Sequence, residues 1–111
     1  MNVNLSNFND IEWEVVREGV KRKAFTGEGA TIALNELTPG HAPKPHTHIH
    51  EQIVYIIQGE GDFNVAGEVY HLTAGGLMVI PPNVEHFIQV TGDEPVLNLD
   101  IFTPKRPEYI R

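Results

Sequence analysis

The stretch GHAPKPHTHIHEQIVYIIQG, residues 40–59, decides how this chain folds. Its second half, Gln52 to Ile57, has the length and the β-branched content of a strand. Gln52, Val54 and Ile56 face one way along that strand and Ile53, Tyr55 and Ile57 the other, so both faces are largely apolar. One face can line a barrel, while the other needs a second sheet or a partner subunit. In the first half, His46 and His48 stand two apart, so on extended backbone both imidazoles point to the same side. Histidine is the commonest metal ligand, and this spacing is the strand counterpart of a helical His-x-x-x-His pair.

Outward from this stretch, ten glycines and eight prolines cut the 111 residues into short pieces. The runs Ala30–Thr38, Asp62–Ala66, Glu68–Leu72, Leu77–Ile80, Phe87–Thr91 and Val96–Phe102 are rich in Val, Ile, Leu, Phe and Tyr and are of strand length. Turn signals at residues 59–61, 66–68, 74–76 and 92–95 recur at the spacing of an all-β sandwich or barrel. The two apolar faces of residues 52–57 favour a jelly-roll β-barrel of two antiparallel sheets that forms a homodimer. Ile11, Trp13 and Val15 alternate with Glu12 and Glu14, which reads as a strand, and a swap of residues 11–18 between subunits would fit. Leu5, Phe8 and Ile11 also fit a helical turn, and the sequence leaves residues 1–10 undecided. Lys21, Arg22 and Lys23 read as a strand with one inward and two outward charges, Arg22 being the one that can reach a pocket. Tyr55 and Tyr109 are expected to pack.

Composition narrows the function. The length suits a single domain, residues 1–111. Eight basic against fifteen acidic residues leave a net charge of −7, which argues against nucleic acid. No apolar run approaches a membrane span, no signal peptide is visible, and a cytoplasmic protein is the expectation. There is no cysteine, hence no disulfide framework and no thiolate chemistry. Any metal must be held by nitrogen and oxygen.

A second block, GGLMVIPPNVEH at residues 75–86, runs turn, apolar strand, Pro-Pro turn and histidine. If its strand pairs across a barrel with the first block, His86 meets His46 and His48 inside. The two blocks resemble the paired motifs of the cupin superfamily. The first, G-x5-H-x-H-x3,4-E-x6-G, is matched by Gly40, His46, His48, position 52 and Gly59; the second, G-x5-P-x-G-x2-H-x3-N, by Gly75, Pro81 and His86. The core motifs thus span residues 40–59 and 75–90, and the resemblance implies a β-barrel with one metal. Three positions depart from the pattern. Gln52 stands where the family has glutamate, and Glu51 is no substitute because a one-residue shift turns the side chain to the opposite face. Asn83 replaces a turn glycine, which Asn tolerates. Val90 replaces the last asparagine, outside the ligand set. His50 is expected beside the site without ligating, and His41 and His71 at the surface.

The C-terminal block adds a second constellation. On the strand Leu97–Phe102, residues 98, 100 and 102 share a face, which makes Asp100 an acid on an apolar strand. A buried carboxylate needs a reason, and Arg106, past the Pro104 turn, can fold back as an anion clamp. With residues 19–23 and the His-Glu-Gln variant of the first motif, this tail resembles the KdgF family of small cupins, which convert 4,5-unsaturated monouronates to linear keto forms. The resemblance implies metal ligands His46, His48, Gln52 and His86, and catalytic residues Asp100, Phe102 and Arg106. It implies one divalent transition metal per chain (Zn, Ni, Mn or Fe), and a small anionic, sugar-like substrate. With neutral donors only, the ion keeps its full charge and is a stronger Lewis acid toward an anion. In that chemistry Asp100 shuttles a proton, and burial and Arg106 push its pKa in opposite directions. Other readings stay open: a salt bridge from Asp100 to Arg106 or Arg22 with Phe102 in the core, an Fe- or Mn-dependent dioxygenase, a sugar isomerase, or a non-catalytic sugar- or metal-binding module.

Overall fold

The computed structural model describes residues 3–110. After a 3-10 turn at Phe8–Asp10, nine strands follow: β1 (Glu14–Arg17), β2 (Val20–Thr26), β3 (Thr31–Leu37), β4 (Glu51–Gln58), β5 (Gly61–Val65), β6 (Glu68–Leu72), β7 (Leu77–Ile80), β8 (His86–Val90) and β9 (Val96–Thr103). They form two antiparallel sheets, β1-β2-β3-β9-β4-β7 and β6-β5-β8. The architecture is the expected all-β jelly roll, but among the described residues no hydrogen-bonded ladder closes it into a continuous barrel. Of residues 11–18, only Glu14–Arg17 form a strand, paired with β2 of the same chain. Residues 3–7 are irregular, and residues 1–2 lie outside the described residues. Among the described residues, no helix is long and apolar enough to cross a membrane.

Strand alternation sorts side chains into an inner and an outer layer. Register places Val20, Leu37 and Val96 on one inner rung, then Arg22, Asn35 and Asn98, then Ala24, Ala33, Asp100 and Val54, then Thr26, Thr31, Phe102 and Gln52. An apolar core lies between the two sheets. Val20, Leu37, Val54, Ile56, Phe63, Ile80, Val90 and Val96 cluster there, with Val54, Ile56, Ile80 and Val96 fully buried. Burying an aliphatic side chain of that size contributes about 1.5–3 kcal/mol, which is what holds the two sheets face to face. Polar Arg22, Asn35, Asn98 and Asp100 interrupt the apolar stack, and with Val20, Leu37 and Phe63 they line a cavity between the sheets.

The outer face of β4 and β7 is different. Ile53, Tyr55, Ile57, Leu77 and Val79 are all exposed, Tyr55 at 41%, so its own chain covers its ring only in part. Further along the same face, the N-terminal segment supplies cover: Lys23 donates to the Phe8 carbonyl at 2.7 Å, and Lys21 and Lys23 lie 4.7 and 4.6 Å from the centre of the Trp13 ring.

One surface assignment is corrected. His41 is buried, because its loop folds onto the β1–β2 turn. Thr38 donates from both its backbone N–H (2.8 Å) and its hydroxyl (3.1 Å) to the Gly19 carbonyl, and a Cβ on Gly19 would stand 3.1 Å from the His41 Cβ. His71 is at the surface, between Asp62 (2.7 Å) and Glu60 (3.3 Å).

Candidate metal centre and cavity

Two backbone hydrogen bonds join the two sequence motifs. His46 N–H donates to the His86 carbonyl (3.1 Å) and His86 N–H to the His46 carbonyl (3.0 Å), an antiparallel bridge that sets the residues side by side. Asn83 adopts φ +63° at the turn and donates its N–H to the His48 carbonyl at 2.8 Å, drawing His48 to the same place. The imidazole centroids of His46 and His86 are 4.3 Å apart, those of His48 and His86 4.8 Å. One ring nitrogen from each of the three lies within 4.8 Å of the others.

The hydrogen bonds decide which nitrogens are available. His46 Nδ1 meets the Lys44 carbonyl at 2.8 Å, His48 Nδ1 the His50 carbonyl at 3.0 Å and His86 Nδ1 the Val84 carbonyl at 2.8 Å. A carbonyl only accepts, so each Nδ1 carries the proton and donates. Each Nε2 is left as a lone pair. Orientation of a ligating histidine by an outer carbonyl is how metal sites fix the tautomer. Burial lowers all three imidazole pKa values, that of His86 to about 4, so the rings are neutral at pH 7.

Two atoms then lack a chemical partner. His86 Nε2 is buried with nothing to bond to. His48 Nε2 faces Gln52 Oε1 at 3.0 Å, two acceptors with no proton between them. The Gln52 amide is oriented by its hydrogen bond to Asp100, which leaves Oε1 toward the histidines. Converging lone pairs on four neutral donors fit a divalent ion. Gln52 is buried and Glu51 exposed, as the strand parity requires.

Asp100 lies one layer behind. Its Oδ2 accepts from Asn35 Nδ2 at 2.8 Å and its Oδ1 from Asn98 Nδ2 at 2.9 Å. Burial pushes its pKa up to about 6, while hydrogen bonds from Gln52 and Asn98 and the charges of Arg106 and Arg22 pull the other way. Desolvation wins, and no salt bridge joins Asp100 to either arginine among the described residues. Phe102 is buried, its ring edge-on to His48 at 5.5 Å. His50 is buried beside both, 5.4 Å from His48 and 6.0 Å from Phe102.

The C-terminal tail returns over the cavity because the Arg106 N–H donates to the buried Thr31 hydroxyl at 2.8 Å. Arg106 then lies 4.7 Å from the Phe102 ring centre and pairs with Glu108 at 3.2 Å. Arg22 and Tyr109 line the same cavity, as do Arg17, Asn35 and Asn98. Tyr109 is therefore part of the cavity wall and not only packing. Asn35 and Asn98 were readable only as polar residues on the inward parity of apolar strands.

The family model for the cupin domain matches residues 33–102, and the chain belongs to that family. It is 29% identical over 104 residues to the pectin degradation protein KdgF of Dickeya dadantii, covering 92% of this chain and 94% of that protein. The solved structure of KdgF from a Halomonas species superposes with a TM-score of 0.86 at 26% identity, covering 99% and 100% of the two chains. An RmlC-like cupin from Shewanella frigidimarina superposes with a TM-score of 0.87 at 26% identity, covering 98% and 97%.

Proposed function

We propose that this chain is a metal-dependent enzyme acting on 4,5-unsaturated monouronates, the sugar acids that pectin or alginate lyases release, and converting them to linear keto forms. His46, His48, Gln52 and His86 hold one divalent transition ion, Zn, Ni, Mn or Fe. When bound, that ion supplies Lewis-acid polarisation of substrate oxygens. Arg106 holds the carboxylate, and Phe102 covers the sugar ring and excludes water. As the bond between C1 and the ring oxygen breaks, the anomeric hydroxyl gives up its proton and C1 becomes a carbonyl; Asp100, whose pKa of about 6 keeps part of it protonated near neutrality, delivers a proton to C4, and C5 becomes the ketone. The observation that carries this reading is the Gln52 amide, which touches the histidine cluster on one side and the buried acid on the other. Likeness to two KdgF proteins over almost the whole chain supports the substrate class.

The same reading takes the chain as one domain and as a homodimer. The exposed stripe of Ile53, Tyr55, Ile57, Leu77 and Val79 is the apolar surface that supports it, and stable pairs bury roughly 800 Å² on each partner. Light scattering on the purified protein reads the mass directly.

The test of function is incubation of metal-loaded protein with unsaturated galacturonate or mannuronate. The ultraviolet absorbance of the conjugated alkene disappears faster than in an enzyme-free control. No acceleration at full metal occupancy sinks the uronate reading, and failure to take up stoichiometric metal sinks the four-ligand set.

A further inference from the structure

The cavity carries more positive charge than the proposed reaction uses. Arg17, Arg22 and Arg106 all line it, and Asp100 is the one acid among the lining residues. Arg106 has its role above, and Arg17, with its Nε–H on the Ala42 carbonyl at 3.3 Å, stacks on no aromatic ring among the described residues. Arg22 remains.

Arg22 is the inward residue of β2, one rung below Asp100, and its side chain is 18% exposed. Its guanidinium carbon lies 3.7 Å from the Tyr109 ring centre, and that of Arg106 lies 4.3 Å from the same centre. The two guanidinium carbons are therefore at most about 8 Å apart. Arg22 Nη2 donates to Glu14 Oε1 at 3.1 Å, and no other hydrogen bond from Arg22 is made among the described residues. A guanidinium has five N–H donors, all directed outward in its plane. Stacking on an aromatic face fixes that plane and leaves the edges free for oxygen acceptors. A plain surface ion pair with Glu14 would need neither the aromatic platform nor a place in the cavity wall.

We infer that Arg22 is a second anion contact, so that the cavity holds open-chain polyhydroxy acids bearing acidic groups at both ends more tightly than those bearing one. Tyr109 is the positioning residue for both guanidiniums. A six-carbon diacid spans about 6 Å between its carboxyl carbons, from carbon–carbon bonds of about 1.5 Å, which suits two guanidiniums at this separation. The inference rests on Arg106 as the first anion contact.

Calorimetry on the metal-loaded full chain tests it with three acyclic six-carbon probes: D-glucarate with two carboxylates, D-gluconate with one and sorbitol with none. The expected result is at least tenfold tighter binding of glucarate than gluconate, and none of sorbitol at millimolar concentration. Arg22→Gln reduces the glucarate preference to within twofold and leaves gluconate unchanged; Arg106→Gln weakens both acids. Metal content is measured after each titration, and comparison with the wild type at equal loading removes chelation by the probe. Where Arg22→Gln does not fold, Tyr109→Leu replaces it, expected to lose the preference that Tyr109→Phe keeps. The inference is overturned if the wild type binds neither acid, if it binds both acids equally, or if the preference survives these substitutions. Failure of the uronate reading shows separately, as wild-type protein that does not consume the alkene or as gluconate affinity indifferent to Arg106.

Discussion

Asp100→Asn separates chemistry from architecture in one substitution. The two side chains have the same shape, but the carboxylate offers two acceptor oxygens and the amide one. In the structure, Asn35 and Asn98 each donate to a different oxygen of Asp100, at 2.8 and 2.9 Å. After substitution, one of these donors faces an NH2 group. A buried unsatisfied donor costs about 1–3 kcal/mol, and that is the expected loss of stability in urea unfolding. Inversion of the Asn35 or Asn98 amide, which turns its oxygen toward the new NH2, brings the loss to the lower end. Activity is expected to fall much further. Removing a positioned acid costs about a hundredfold to ten-thousandfold in rate, or roughly 3–5 kcal/mol of barrier. The assay is consumption of unsaturated galacturonate, normalised to folded protein with metal content measured by elemental analysis. A variant that is folded, metal-loaded and within threefold of the wild-type rate refutes the role of Asp100 as acid and leaves it a structural residue.

Three further outcomes follow from the geometry. His86→Ala removes the buried Nε2 that has no partner in the protein, and metal affinity measured against a chelating dye is expected to drop by at least about a hundredfold, since loss of outer-shell partners alone costs about 10–100-fold. Gly59→Ala places a Cβ 2.5 Å from the Pro95 carbonyl oxygen at φ +83°, and urea unfolding should show a loss of at least about 1–3 kcal/mol; an unchanged midpoint would mean that this turn relaxes freely. The pKa of His71 is raised, chiefly by its hydrogen bond to Asp62, so the pair stabilises the fold below the unfolded pKa near 6.5 and loses that effect as pH rises through the folded value. Nuclear magnetic resonance titration should find His71 above 6.5 and Asp62→Asn returning it toward 6.5.

Strand parity was the most legible part of the fold. Period-2 alternation in residues 52–57 separates buried Gln52, Val54 and Ile56 from exposed Ile53, Tyr55 and Ile57 without reference to any other strand. The same parity put Asp100 and Phe102 on the inner face and made Gln52, not Glu51, the side chain near the histidines. His41 was misread because nothing local marks a loop histidine as buried. The contact that covers it comes from Gly19, some twenty residues away in sequence. Tyr109 packs against Phe102 as expected, but its place in the cavity wall is not legible for the same reason: its partners Arg22 and Arg106 meet only when the tail folds back onto Thr31.

By itself, the sequence determined the all-β class, the inward set on each strand and the common side of His46 and His48. These follow from spacing along one chain segment, where backbone geometry leaves little choice. Tertiary structure alone decided that His86 meets His46 and His48, through the backbone bridge between His46 and His86 and the Asn83 N–H on the His48 carbonyl. It also decided the contest at Asp100. Burial raises the pKa of that carboxyl, the Gln52 and Asn98 hydrogen bonds and the charges of Arg106 and Arg22 lower it, and only the depth of its burial in the folded chain lets desolvation prevail.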